Sequence, residues 1–379
     1  MTIEAEDRRV PVTLLTGFLG AGKTTLLNHL IRDPEAGRIA VVMNEFGDVG
    51  LDHDLIEELT EETVLMQSGC LCCSIRGDLA KTLGSLIGRR ARNELAFDRV
   101  VIETTGIANP GPILQTMVAD KLIAPNYRMD GVVTLADAAN GSRTLDTQLE
   151  AVNQIALADL IVLTKTDLVT SYELERFEAR LAGINETATR LRADHGHVPP
   201  GALFGLSAMR ESASFDEVAG WLGKSAPEPD PLAGISGLAI KQTAPAPLPF
   251  GDASLSAQHD HRITSASIEV EKPIPAKVFD FWLDSLIALK GPDILRIKGI
   301  AHVEDVAWPF VFHGVQHIFD APVPLKSWSG KDTTSRVVVI ARDFDKNDLK
   351  ASLEALRMVP KERLAQSEGM MTDTKDMPF

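Results

Sequence analysis

The chain has 379 residues, beyond the roughly 250–300 at which one hydrophobic core usually stops growing, so two domains are expected. Its 44% hydrophobic and 24% charged residues are the proportions of an ordinary globular protein. A net charge of −15 argues against nucleic acid or an anionic membrane surface as the main partner. No apolar run of about 18 residues is present to span a bilayer.

The acidic, polar start lacks the apolar segment of a signal peptide, and a cytoplasmic location is expected. The three cysteines stand at positions 70, 72 and 73, too close together for a disulfide framework. Thiolates in a reducing compartment fit better.

Residues 10–16 form a β-branched apolar run, and the glycine-rich stretch 17–25 follows it, reading Gly-Phe-Leu-Gly-Ala-Gly-Lys-Thr-Thr. Gly17, Gly22, Lys23 and Thr24 occupy the fixed positions of the G-x-x-x-x-G-K-[ST] phosphate-binding pattern, and residues 26–31 continue at helical spacing. Gly17, Gly20, Ala21, Gly22 and Thr25 are read as lining the phosphates with backbone N–H groups. Lys23 reaches the β/γ oxygens, and Thr24 offers its hydroxyl to Mg²⁺.

Alternating patterns continue: strand at 38–44, helix at 75–92, strand at 98–103, helix at 110–120, strand at 131–136, helix at 143–158, strand at 160–164, helix at 171–182 and a short strand near 187–191. This alternation predicts an α/β layer with a mostly parallel sheet and ligands at the carboxyl ends of its strands. Glu103-Thr104-Thr105-Gly106 stands at one such end. Glu103 is read as holding Mg²⁺ or orienting the attacking water, and the Gly106 N–H as a γ-phosphate donor. Thr164-Lys165-Thr166-Asp167 stands at another. The Asp167 carboxylate can accept from guanine N1–H and its exocyclic amine while the Lys165 stem lies over the ring, which favours GTP over ATP; a solvated turn plus a helix N-cap is the competing reading of Asp167.

Proline-rich composition marks residues 224–261 as a linker, closing the first domain at residue 223. The linker ends at His259-Asp-His261, a pair better read as solvated than as a metal reservoir. In the second domain strands are expected at 262–270, 293–299, 308–319 and 335–341, and helices at 275–288 and 346–358, giving a smaller α+β module over 262–360. Residues 361–379 read as a tail.

The phosphate loop, Glu103–Gly106, Thr164–Asp167 and above all Gly-Cys-Leu-Cys-Cys at 69–73 resemble the CobW-type P-loop GTPase metallochaperones. The likeness extends to Asn-Glu-Phe-Gly at 44–47, Ile-Leu-Arg-Ile-Lys-Gly at 294–299 and His-Gly-Val-Gln-His at 313–317. It departs from the wider GTPase pattern at Thr164, where asparagine is usual.

The resemblance implies GTP hydrolysis coupled to binding a transition metal, Zn²⁺ first and Co²⁺ second, and to its delivery to a client metalloprotein or chelatase. Independently, Cys70, Cys72 and Cys73 can present several soft sulfurs to one ion. Glu45 is a candidate fourth ligand and equally a Mg²⁺-side acid. The expected mechanism is a switch in which Mg²⁺-GTP orders 44–47 and 103–106 and tightens the cysteine turn. A maturation factor for one metalloenzyme, or a metal sensor with little turnover, are the other readings, and a homo-oligomer is compatible with all of them.

Overall fold

The computed structural model describes residues 7–44, 64–68, 75–223, 262–326, 328 and 332–358. Cys70, Cys72, Cys73, Glu45, the expected linker and the tail lie outside them.

Among the described residues the N-terminal part is a seven-stranded parallel sheet flanked by helices. In chain order its elements are β1 (Val10–Gly17), α1 (Lys23–Arg32), β2 (Ile39–Asn44), β3 (Val64–Ser68), α2 (Ile75–Ala91), β4 (Arg99–Thr104), α3 (Gly111–Ala119) and β5 (Tyr127–Asp137). They continue with α4 (Gly141–Thr147), α5 (Leu149–Leu157), β6 (Leu160–Thr164), α6 (Ser171–Ile184), β7 (Thr189–Arg192), α7 (Pro200–Leu203) and α8 (Phe215–Trp221). The strand order is β3-β2-β4-β1-β5-β6-β7.

Continuous apolar runs make these strands, because both faces of the sheet are covered. Leu14, Val100 and Ile102 face one core with Leu83 of α2, Ile113 of α3, Ile155 of α5 and Leu181 of α6. Leu15, Val41, Val101 and Val133 face the other with Leu26, Leu27 and Leu30 of α1. All strands are parallel, so the chemistry-bearing strand ends gather at one edge.

The helix expected over 143–158 is two helices. Gln148 adopts an extended backbone (φ −130°, ψ 106°) between α4 and α5, a break that periodicity alone does not announce. Strand β3 and the short helices α7 and α8 were not expected from the sequence.

The C-terminal part contains β8 (Ile263–Val270), α9 (Ala276–Lys290), β9 (Ile294–Ala301), β10 (Phe310–Val315), β11 (Ile318–Phe319), β12 (Val323–Pro324), β13 (Ser335–Arg342) and α10 (Lys346–Glu354). Its antiparallel order is β11-β10-β9-β13-β8, with β12 also on β10. Ile297, Ala301, Phe312, Val337 and Val339 meet Phe279, Trp282 and Leu286 of α9 and Leu349 and Leu353 of α10.

The opposite face meets the N-terminal part, which is why β9 is buried along its whole length. Ile263, Leu295, Val315 and Ile340 join the core built on α5 and α6. Among the described residues no helix is long and apolar enough to cross a membrane.

Within this interface Asp159, just before β6, is buried with Arg296 and Lys298 of β9. Its Oδ1 lies 2.6 Å from an Arg296 nitrogen and 2.7 Å from Lys298 Nζ, while Oδ2 accepts from Val132 N–H at 2.9 Å. Arg296 also donates to the Leu157 carbonyl, and Lys298 to the Trp221 carbonyl at 3.1 Å.

One carboxylate thus serves two cations. Burial alone would raise the Asp159 pKa, but Arg296 and Lys298 outweigh it and hold the carboxyl below its ordinary range. Lys298 shares that anion with Arg296, and burial together with Arg296 lowers its pKa to about 8. The motif at 294–299 is therefore an inter-domain clamp.

Candidate nucleotide-binding site

The glycine loop turns because its backbone visits conformations open to glycine. Gly17, Gly20 and Gly22 have φ of +145°, +72° and +95°, and a Cβ on Gly17 would stand 2.6 Å from the Leu135 carbonyl oxygen. Lys23 opens α1 directly after Gly22, and among the described residues no side chain caps that helix. A helix N-terminus offers N–H groups and a positive dipole end to an anion.

Lys23 Nζ folds back over the loop, donating to the Gly17 carbonyl at 2.9 Å and the Phe18 carbonyl at 3.2 Å. Thr24 Oγ1 donates to Glu103 Oε1 at 3.2 Å. Glu103 is 5% exposed and stands in register with Leu15 of β1 and Met43 of β2. A hydroxyl beside a carboxylate at the mouth of a phosphate loop is an oxygen donor set that fits Mg²⁺.

The segment after β4 abuts the loop: a Cβ on Gly106 would come within 2.6 Å of Leu19 N. The buried hydroxyls of Thr104 and Thr16 bond at 2.8 Å, tying β4 to β1 below Glu103.

On the base side Thr164 Oγ1 donates to the Ala21 carbonyl at 2.9 Å, so the residue standing where asparagine is usual still tethers β6 to the phosphate loop. Lys165, at φ +56°, places Nζ 2.8 Å from Asp137 Oδ2. Asp137 went unrecognised in the sequence because nothing local distinguishes it. Its burial raises the pKa, but the bonds from Lys165 and Asn140 prevail and leave it lowered.

Asp167 is exposed, in the turn Thr166–Leu168. It does not cap α6: Thr170 does, in a reciprocal box with Glu173. Of the competing reading, a solvated turn plus N-cap, the cap is thereby removed and the exposed turn stands.

Residues 193–198 follow β7 and pack on α1: a Cβ on Gly196 (φ +83°) would lie 2.8 Å from Thr25 Cγ2. The His29 and His197 rings are 5.8 Å apart. The sequence offered only the Asp-His-Gly-His turn as a sign of this approach.

Among the described residues no group of three or more His, Cys, Asp or Glu could hold a metal ion. What is described is where the flanking strands end. Asn44 of β2 pairs in register with Ser68 of β3 and with Thr104 of β4.

A phosphate loop opening a helix, an acid beside its threonine and a Lys-x-Asp turn on a parallel sheet define a P-loop GTPase domain. Residues 11–192 match the family described as CobW/HypB/UreG, nucleotide-binding domain, and residues 263–357 match the cobalamin synthesis protein cobW C-terminal domain. The chain belongs to the CobW family.

It is 30% identical over 348 residues to the zinc chaperone YjiA of Escherichia coli, covering 92% of this chain and 99% of that one. It is 31% identical over 366 residues to the zinc-regulated GTPase metalloprotein activator 1 of Schizosaccharomyces pombe, covering 88% and 83%. The crystal structure of Zn(II)-bound YjiA GTPase from E. coli superposes with a TM-score of 0.66 at 27% identity, over 92% of this chain and 99% of that one.

Proposed function

We propose that this protein is a GTP-hydrolysing zinc chaperone that takes up Zn²⁺ at Cys70, Cys72 and Cys73 and releases it to a client metalloprotein according to the nucleotide it holds. The observation that carries the reading is the register of three adjacent strands. Asn44, Ser68 and Thr104 stand side by side at the carboxyl edge, and the chain leaves them toward Glu45, toward Gly69 and Cys70, and toward Gly106 respectively. Segments that start on adjacent strands beside Glu103 can be drawn together by one γ-phosphate.

Thiolates suit Zn²⁺ or Co²⁺, and relatives named zinc chaperones favour zinc as the cargo. Three sulfurs leave a tetrahedral shell incomplete, which suits an ion that must be passed on; Glu45 is the candidate fourth donor.

On the hydrolytic side, Lys23 would leave the Gly17 and Phe18 carbonyls for the β/γ oxygens. Thr24 and Glu103 would hold Mg²⁺, which neutralises phosphate charge when bound. The alternative role for Glu103 would be to orient the attacking water. Thr164, Lys165 and Asp167 would read guanine, and the Gly106 N–H the γ-phosphate.

The test is competitive titration of Zn²⁺ and Co²⁺ against the full chain with Mg²⁺-GTP analogue, Mg²⁺-GDP or no nucleotide, repeated with Cys72→Ser. Tight Zn²⁺ binding that needs the GTP form and disappears in the variant is expected. Equal affinity in all three nucleotide states would overturn the gating.

A further inference from the structure

Gln154 on α5 is 1% exposed. Its Nε2 donates to two carbonyls of the segment after β4, Gly106 at 3.1 Å and Ala108 at 3.0 Å. Both partners are acceptors, so the amide orientation follows from the bonds. Among the described residues its buried Oε1 has no partner, and the side chain forms one wall of a cavity of about 220 Å³ bounded also by Phe18, Leu19, Asp137 and Lys165. The end of α5 is held from the other domain: the Leu157 carbonyl accepts from Arg296, whose guanidinium also pairs with Asp159.

Gln154 and Leu157 are separated by less than one helical turn, about 4.5 Å of rise. Every residue of α5 from Ala151 to Leu157 is buried. A displacement of Gly106–Ala108 must either strand the buried Gln154 amide or carry α5 with it. The cavity beside Gln154 leaves room for that movement, whereas close packing elsewhere along the helix transmits it.

We propose that Gln154 is a positioning residue for GTP hydrolysis, and that α5 carries the state of the Gly106–Ala108 segment to β9 of the C-terminal domain through Arg296. The juxtaposition that assigns it is a double amide clamp on the segment beside Glu103, one turn from a buried inter-domain bond. The inference rests on reading Glu103–Gly106 as the γ-phosphate segment.

The experiment measures GTP turnover and hydrogen exchange in the full chain for wild type, Gln154→Ala, Gln154→Glu and Glu103→Gln. Gln154→Ala is expected to lower kcat about 10-fold with KM for GTP within about 2-fold, the pattern of lost transition-state positioning. In Gln154→Glu a carboxylate faces two carbonyls and donates nothing, so kcat falls comparably. Protonating it restores one donor, and the deficit narrows as pH is lowered, a dependence Gln154→Ala lacks.

In wild type, exchanging GDP for a GTP analogue is expected to change exchange in β9, and Gln154→Ala to abolish that change while GDP-state protection persists. If Gln154→Ala does not fold, the isosteric Gln154→Glu carries both readouts. Unchanged kcat in the Gln154 variants, or the same nucleotide-dependent change in β9 with and without the amide, or no such change in wild type, would overturn the relay. Normal turnover in Glu103→Gln would instead overturn the reading of the γ-phosphate segment.

Discussion

Lys298→Met separates the cation that the inter-domain clamp needs from the one it tolerates. Asp159 is shared by Arg296 and Lys298, whose side chains are 4% and 2% exposed, so the cluster carries one surplus positive charge. The fall of the Lys298 pKa from 10.5 to about 8 corresponds to roughly 3 kcal/mol disfavouring the protonated form at neutral pH. Methionine removes that burden and gives up the pairing with Asp159 and the charge-assisted bond to the Trp221 carbonyl, the latter worth about 1.5–3 kcal/mol. Lys298→Met is therefore expected to leave stability at pH 7 within about 2 kcal/mol of wild type. Asp159→Asn strands two buried cations and is expected to lose about 3–5 kcal/mol.

The sign with pH is fixed by linkage. Between pH 8 and 10.5 the unfolded chain keeps the Lys298 proton and the folded chain does not, so wild type gains stability as pH rises through that window. Lys298→Met lacks the gain. Tyr127, its pKa raised by burial, acts oppositely above pH 10 in both proteins and cancels in the comparison. Urea unfolding followed by tryptophan fluorescence from pH 7 to 10 measures this. The reasoning fails if wild type loses stability relative to Lys298→Met between pH 8 and 10, or if the two substitutions destabilise equally at pH 7.

Gly17→Ala would place a methyl 2.6 Å from the Leu135 carbonyl oxygen at φ +145°. A loss of about 1–3 kcal/mol is expected from the strain, read as a fall in Tm. Asp167→Asn replaces an acceptor-only carboxylate with an amide. It is expected to weaken GTP binding roughly 10- to 100-fold, from the ~1.5–3 kcal/mol of a hydrogen bond to a charged group, while ATP binding stays unchanged; isothermal titration distinguishes the two nucleotides.

The phosphate loop was legible because its chemistry demands fixed residue types at fixed spacing, and the strands because covered parallel strands read as apolar runs. Strand β3 was not, since Val-Leu-Met-Gln-Ser is short and turns polar at the edge of the sheet. Gln148 interrupts a helical periodicity that continues on both sides of it, so α4 and α5 read as one helix. Gln154 and Asp159 are ordinary residues in sequence. Their roles come from partners that folding supplies, 48 and 46 residues away for the first and 137 for the second. Arg296 and Lys298 were visible as part of a family motif, yet alternation along a strand gives their common face and not what it meets.

That common face bears on why the interface holds ions at all. Well-packed apolar residues would stabilise as much as a buried carboxylate shared by two cations, but they would not fix one register of β9 against the N-terminal part. Arg296 and Lys298, two residues apart, reach Asp159 together in one position, and Asp159 leads directly into β6, whose far end is tied by Thr164 to the Ala21 carbonyl. β6 is pinned at both ends, over about 17 Å at the rise of a strand, and it presents Lys165 and Asp167. The triple substitution Asp159→Leu, Arg296→Met, Lys298→Met is therefore expected to retain stability within about 2 kcal/mol, with faster hydrogen exchange in β6 and a weaker preference for GTP over ATP. Wild-type exchange in β6 together with an unaltered GTP preference would show that the ions set neither register nor base site.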